Sequence, residues 1–322
     1  MNKVVTLLTS GGVEQLQVSE QAPEAPGADE IRIRHDAIGV NFLDIYHRRG
    51  LYALPAYPAI LGVEGAGTVE AVGSAVTDLK PGDRVAYAGA PVGAYAATRL
   101  LPAARAIRLP YSVPSKIAAA SMLKGLTAYM LLTKTYRVEP GTTVLIHAAA
   151  GGLGSILVRW AKHLGATVIG TVSSGEKADL ARGYGADHLI VGRDADVVTE
   201  VKALTDNGGV DVAYDGIGAG MLAKSIASVR PFGVVATIGQ AGGPIPPVAV
   251  DALRPGKSLT HPSIMAYITD TSAYLAAAEA VVGMLASGIT AAIAGEYPLE
   301  EAAQAQQYLE DGRAAGSLIL VP

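Results

Sequence analysis

Two periodicities divide the chain. Through about residue 120, apolar positions come in short runs separated by turn residues. Glu30-Ile31-Arg32-Ile33-Arg34 alternates apolar with charged at period two, as a strand with one buried face does. Gly11-Gly12, Pro23 and Pro26-Gly27 punctuate these runs. Lys80-Pro81-Gly82-Asp83 sets a turn before the apolar stretch Val85-Ala86-Tyr87. Asn41 to Arg49 reads as a short helical turn after a strand. This half is predicted to be mostly antiparallel β.

From Ser115 the texture changes. Residues 118–132 are helical in spacing, and short aliphatic runs then alternate with helical patterns. The predicted strands lie at 144–146, 167–171, 185–190, 210–215 and 233–239. Alternation of this kind implies a parallel, doubly wound sheet. Helices at 273–287 and 299–309 and a strand at 317–321 close the chain. The change of period places the domain boundary near residue 122.

The first of these units carries the most chemistry. Val144-Leu145-Ile146 runs into His147-Ala148-Ala149-Ala150-Gly151-Gly152-Leu153-Gly154, and helical spacing resumes from Ser155 to Leu164. Strand, glycine-rich turn and helix bring backbone N–H groups and a helix N-terminus up to a pyrophosphate. Gly151 and Gly152 allow close backbone approach, and Gly154 allows tight helix packing. With the next strand at 167–171, the βαβ unit has the expected length of about 30 residues. Dinucleotide binding is expected. Gly256-Lys257-Ser258 only imitates the end of a P-loop, because Asp251 stands at the first glycine position and no apolar strand leads in. No Tyr-x-x-x-Lys occurs, as a short-chain dehydrogenase would need.

Composition narrows the chemistry. The 322 residues are 50% hydrophobic and 17% charged with a net charge of −4, which fits a compact protein and gives no electrostatic footprint for nucleic acid or anionic membrane. Met1-Asn2-Lys3 runs straight into Val4-Val5-Thr6-Leu7-Leu8, without a signal-peptide pattern, so the cytoplasm is expected. There is no cysteine, which excludes disulfides, thiolate nucleophiles and Cys-ligated metals. The six histidines show no paired ligand spacing, and no metal is expected.

Gly62-Val63-Glu64-Gly65-Ala66-Gly67, Val72-Gly73 and Gly82-Asp83-Arg84-Val85 resemble the catalytic-domain signature of the medium-chain dehydrogenase/reductase superfamily. Residues 37–44, Leu123-Lys124-Gly125-Leu126-Thr127-Ala128, 147–154 and Gly316-Ser317 resemble its quinone oxidoreductase branch, related to zeta-crystallin. The resemblance covers nearly the whole chain. It implies an α/β fold with a GroES-like β-rich catalytic domain (1–122 and 265–322) and a Rossmann NADPH-binding domain (123–264), assembled as a homodimer. Zinc-dependent members carry a ligand Cys near Asn41–Asp44 and a ligand His where Val63 stands. Neither type is present here.

The cofactor expected is NADPH. The second strand ends in Ser173-Ser174-Gly175-Glu176-Lys177 rather than in the acidic residue of an NAD site. Ser173, Ser174 and Lys177 suit a 2′-phosphate, while Glu176 reads as a first-turn carboxylate. Lys177 could equally be a solvated surface lysine. Relatives usually place a Tyr at the position of Gly192, and Arg193 beside it could compensate. By resemblance, Ala149, Gly151, Gly152, Leu153, Gly154, Gly216, Gly239, Gln240 and Gly316 also contact the cofactor.

Reduction of a quinone or enone needs hydride delivery at roughly 3–3.5 Å and charge stabilisation at oxygen. By resemblance, Asn41, Tyr46, Tyr52, Lys124 and Thr127 line the cofactor and substrate cleft. Asn41 and Thr127 offer neutral hydrogen bonds, and the two tyrosines offer ring faces and O–H groups. A tyrosine is more often a core or rim residue, but these two flank the Asn41 motif. No general acid is assigned. His147 is expected to pack or cap locally and His47 to lie on the surface. His261 and Arg159 replace residues that are often Arg and Gln in relatives.

The leading expectation is a zinc-independent NADPH:quinone oxidoreductase. An NADPH-dependent reductase of an activated C=C bond, such as an enone or 2-haloacrylate, would use the same residues. A cofactor-binding structural or RNA-binding protein without useful turnover is the reading from another class.

Overall fold

The computed structural model describes residues Met1–Pro322. The chain forms two compact units, Met1–Leu126 with Ile268–Pro322, and Thr127–Tyr267.

The first unit begins with β1 (Asn2–Leu7), β2 (Leu16–Gln21), β3 (Glu30–Val40), α1 (Phe42–Arg48), β4 (Ala59–Ile60) and β5 (Glu64–Val72). Strands β6 (Arg84–Ala88), β7 (Thr98–Pro102) and β8 (Ile107–Arg108) follow, then helix α2 (Ser115–Met130). The period-two run predicted at 30–34 is the start of β3, whose burial alternates there and becomes continuous from Ala37 to Val40. Its outer half faces water on one side. Its inner half is buried on both.

The second unit is a succession of strand and helix. It contains β9 (Thr143–Ile146), α3 (Gly152–His163), β10 (Thr167–Val172), α4 (Gly175–Gly183), β11 (His188–Val191), α5 (Val197–Leu204), β12 (Val210–Asp215) and α6 (Met221–Ser228). It ends with β13 (Val229–Thr237), β14 (Ser258–Thr260) and α7 (Ile264–Tyr267). All six strands are parallel in the order β11-β10-β9-β12-β13-β14. The order turns back beside β9, which makes this the doubly wound Rossmann arrangement with its ligand-binding edge at the carboxyl ends of the strands. Leu145, Ile169, Ala213 and Val235 are wholly buried between the helical layers.

The chain then returns to the first unit with α8 (Thr271–Ala286), β15 (Ile293–Pro298), α9 (Ala302–Glu310) and β16 (Ser317–Val321). Strand β16 pairs antiparallel with β3, Leu318 opposite Val40, so the terminal strand completes the sheet begun at residue 30. Helix α9 is tied to α1 by the buried Arg48, whose guanidinium donates to Gln306 Oε1 at 2.7 Å and Glu310 Oε2 at 2.7 Å.

One local expectation needs correction. The strand expected at 185–190 starts only at His188, because Gly185 turns at φ +105° and Asp187 instead caps the sheet, accepting from Val168 N–H at 2.7 Å. Strand β14 takes up 258–260, and Val250 opens a short 3-10 turn before it. Strand β15 was not foreseen, since its Gly295 and Pro298 break the β signal.

Candidate active site

The dinucleotide loop leaves β9 through Ala148, which takes φ +50°, and closes by a hydrogen bond from Gly151 N–H to Ala148 C=O at 2.8 Å. Helix α3 begins at Gly152, three residues before the helical spacing resumes in the sequence, with Gly151 as its N-cap. The glycines hide the helical period because they carry no side chain to mark a face. Consequently the N–H groups of the loop are those of the helix N-terminus. A Cβ on Gly154 would stand 2.1 Å from the Ala148 carbonyl oxygen, and one on Gly151 would stand 3.1 Å from it. Only glycine at 154 lets the helix reach back beneath the loop.

Behind the loop lies a buried polar chain. The His147 ring bridges Thr171 Oγ1 at 3.0 Å and Ser225 Oγ at 2.9 Å, and Ser225 donates to Asp215 Oδ2 at 2.8 Å. The other Asp215 oxygen accepts from the N–H groups of Ile217 and Gly218 at 2.8 and 3.0 Å. Burial holds the His147 imidazole below its ordinary pKa, against the opposing pull of Asp215. The chain links the carboxyl ends of β9, β10 and β12 and fixes the turn that starts at Gly216. Gly239 and Gln240 follow the end of β13 on the same edge of the sheet. Ala149 is buried and its N–H donates to Thr171 C=O at 3.0 Å, while Leu153 lies in the first turn of α3.

The end of β10 supplies a cationic corner. Ser174 caps α4, its hydroxyl oxygen accepting from Lys177 N–H at 3.4 Å, and Ser173 precedes it half-buried. Burial, reinforced by the nearby charge of Arg193, lowers the Lys177 pKa. Glu176 is exposed in the first turn of α4. At Gly192 φ is +117°, a conformation strained for tyrosine, so the departure from the Tyr of relatives is built into the backbone and Arg193 is the polar group this loop offers. Two cations beside a helix N-cap suit a phosphate dianion, and the Gly154 cradle suits a pyrophosphate. The residues present therefore fit NADPH.

In the β-rich unit the structure gathers residues that the sequence only places in separate motifs. Lys124 Nζ on α2 donates to Asn41 Oδ1 at 2.7 Å and lies 3.3 Å from Glu64 Oε2. Asn41 Nδ2 donates to the same Glu64 oxygen at 2.8 Å, closing a triangle. Glu64 Oε1 accepts from Leu123 N–H at 2.7 Å. A Cβ on Gly39 would meet Glu64 Oε2 at 2.2 Å, so glycine there makes room for the carboxylate. Asp44 accepts from Asn41 N–H at 2.9 Å and from the Tyr95 hydroxyl at 3.1 Å. Gln306 donates to Tyr95 Oη at 3.2 Å.

Tyr46 and Tyr52 stack edge to face with centroids 5.6 Å apart, Tyr52 being 42% exposed on the loop after α1. Gly316, at φ +145°, enters β16 beside the turn that starts α1. Thr127, on α2, belongs to the other unit. His47 corrects an expectation: it is buried, 7% exposed, with its pKa lowered by burial, and its ring lies 6.2 Å from that of Tyr52 on the loop after α1. Glu64 and Asp44 acquire roles that the sequence reading did not give them. The signal was available for Glu64, a lone carboxylate in a run of small apolar residues.

The donor set does not fit zinc. Asparagine and valine occupy the positions of the Cys and His ligands, and no group of three or more His, Cys, Asp or Glu side chains gathers where it could hold a metal. No helix is long and apolar enough to cross a membrane.

Burial lifts the Asp44 carboxyl from 3.8 to about 7, against the lowering effect of the Asn41 N–H and the Tyr95 hydroxyl. In the unfolded chain an aspartate titrates near 3.9, so from about pH 4 to pH 7 the folded protein holds a proton that the unfolded chain releases. This group's contribution to stability therefore falls as pH rises through that window and is constant above it. Asp44→Asn should remove the slope. Urea midpoints of the wild type should fall between about pH 5 and pH 7.5 relative to those of the variant. Parallel profiles for the two proteins would contradict this assignment.

Two family models match the chain, an alcohol dehydrogenase GroES-like domain over residues 27–111 and a zinc-binding dehydrogenase domain over residues 152–280. A quinone oxidoreductase of Pseudomonas aeruginosa is 42% identical over the whole of both chains. A 2-haloacrylate reductase of a Burkholderia species is 40% identical over 97% of this chain and 96% of its own. The structure of Escherichia coli quinone oxidoreductase complexed with NADPH superposes with a TM-score of 0.95 at 39% identity, covering 99% of this chain and all of that one. The similarity spans both units, and the donor set differs from that of the zinc-dependent members as the motifs implied. The chain belongs to the zinc-free quinone oxidoreductase branch of the medium-chain dehydrogenase/reductase superfamily.

Proposed function

We propose that the protein is a zinc-independent NADPH:quinone oxidoreductase. The observation that carries this reading is the pairing of a glycine cradle at Gly151–Gly154 with a Ser174–Lys177–Arg193 corner on one Rossmann edge. It is supported by full-length similarity to proteins named for the reaction.

NADPH supplies the hydride when bound. The loop N–H groups of residues 151–154 hold its pyrophosphate, and Ser173, Ser174, Lys177 and Arg193 hold its 2′-phosphate. Ala149, Gly216 and Gly239 form the floor along the strand ends, where the absence of bulk allows close approach, with Leu153 and Gln240 beside them. Thr127, Asn41 and Gly316 serve the nicotinamide end, and Lys124, hydrogen-bonded to Asn41, stands towards the acceptor. Tyr52 offers a ring face for an aromatic acceptor, and Tyr46 steadies it edge-on. We place the enzyme in the cytoplasm as a homodimer, with β14 paired across a two-fold axis. That strand uses one edge for β13 and leaves the other open. Light scattering distinguishes this from a monomer.

The relation to a 2-haloacrylate reductase favours one second reading, reduction of an activated C=C bond by the same residues. Steady-state oxidation of NADPH with a panel of quinones against a panel of enones and haloacrylates decides between them. Higher kcat/KM for quinones is expected. Turnover confined to alkenes would favour the second reading, and tight NADPH binding without turnover would overturn both in favour of a binding protein.

Lys177→Ala tests the cofactor. It should raise the KM for NADPH and leave that for NADH nearly unchanged. One charge-assisted contact contributes about 1.5–3 kcal/mol, less at a half-exposed position, so the expected change is roughly tenfold. Equal effects on the two cofactors would contradict the 2′-phosphate assignment.

A further inference from the structure

The triangle around Lys124 has an incomplete side. An ammonium has three N–H bonds. Two are directed to Asn41 and Glu64, and the third has no acceptor in the protein. The Lys124 side chain is 11% exposed, whereas Glu64 is 0% and Asn41 5% exposed, so Lys124 is the most open member of the triangle. The side chain is held rigidly by a neutral amide and one carboxylate. Glu64 in turn is fixed by Leu123 N–H, one residue before Lys124. The other charged or titratable groups around this set are Asp44 on α1, Tyr87 on β6 and Tyr95, none of them in contact with the ammonium.

We propose that Lys124 is the proton donor to the reduced acceptor, with Asn41 and Glu64 as the positioning residues that aim its third N–H bond. The proposal rests on the quinone reductase reading above and supplies the proton which that reading leaves unassigned. Hydride addition drives the quinone towards a hydroquinone anion in the same step as proton transfer, while NADPH is oxidised to NADP⁺, so loss of the nicotinamide absorbance reports both. The Lys124 N–H bond breaks as an O–H bond forms on that anion, and the neutral amine takes its replacement proton from water. Ammonium and phenol-type oxygen are well matched for this exchange, since ordinary lysine and phenol groups both release a proton near about pH 10. The Asn41 amide, being neutral, aligns the lysine without adding a second negative charge.

The test uses single-turnover rates of NADPH-loaded enzyme mixed with a quinone, read by loss of the nicotinamide absorbance, beside NADPH affinity measured by fluorescence titration. Lys124→Arg keeps the charge and can still donate hydrogen bonds, but a guanidinium does not give up its proton in a protein. The variant should bind NADPH about as tightly as the wild type while its single-turnover rate falls by about 10²-fold, within the range of general acid catalysis. The wild-type step should also slow in heavy water. Lys124→Gln, smaller and uncharged, guards against misfolding of the arginine variant and should show the same split between rate and affinity.

A rate in Lys124→Arg less than about tenfold below wild type would overturn the proposal in favour of a purely electrostatic or bracing lysine. Loss of NADPH affinity in step with the rate would overturn it in favour of a cofactor contact. A wild-type enzyme that oxidises no NADPH with any quinone would show instead that the functional reading itself had failed, and the proposal with it.

Discussion

A lysine set among buried groups must find a counter-charge and hydrogen-bond acceptors, and meeting that demand shapes one end of the β-rich unit. Burying an ion pair costs desolvation energy that Coulomb attraction repays only when the remaining donors and acceptors are also satisfied. Here the satisfaction is shared among three elements. Lys124 comes from α2, Glu64 from the start of β5 and Asn41 from the cap of α1. Gly39 on β3 yields its side-chain space to the carboxylate. Asp44, Tyr95 and Gln306 extend the network to α9, and Arg48 carries it on to Glu310. The polar cluster thus fixes the positions of elements distant in sequence while keeping one N–H bond of the lysine available.

The parallel-sheet unit meets a different constraint, close approach of backbone to backbone. Gly154 admits α3 beneath the Ala148 carbonyl, and the His147–Ser225–Asp215 chain ties three strand ends together so that the loops above them share one frame. Positive charge lies at the rim, in Lys177 and Arg193. The close backbone approach at the loop suits a dinucleotide by shape, and the two cations at the rim suit a 2′-phosphate by charge.

Much of this was legible in the sequence. The period-two run at 30–34, the alternation of strands and helices after residue 140 and the glycine spacing at 151–154 all follow from side-chain periodicity and backbone freedom, which are local properties. The early start of α3 was hidden by glycines that mark no face. The weak strand β15 was hidden by Gly295 and Pro298. His47 was misread because its burial depends on how the chain folds back over α1, which no local pattern marks; its ring packs against Tyr52. The triangle was illegible because Asn41, Glu64 and Lys124 sit in three motifs, and only the pairing of β3 with β5 and the packing of α2 against them bring the three within hydrogen-bond distance. The roles of Tyr46 and Tyr52 follow from resemblance more than from any pattern in the chain.

The central claim is that the acceptor end of this site is built from a lysine, an amide and a carboxylate rather than from a bound metal. Prolonged dialysis against a strong chelator, followed by assay of NADPH oxidation with a quinone before and after adding back zinc, tests it most directly. The account predicts the same rate at every stage. Activity that is lost on dialysis and restored by zinc would contradict it.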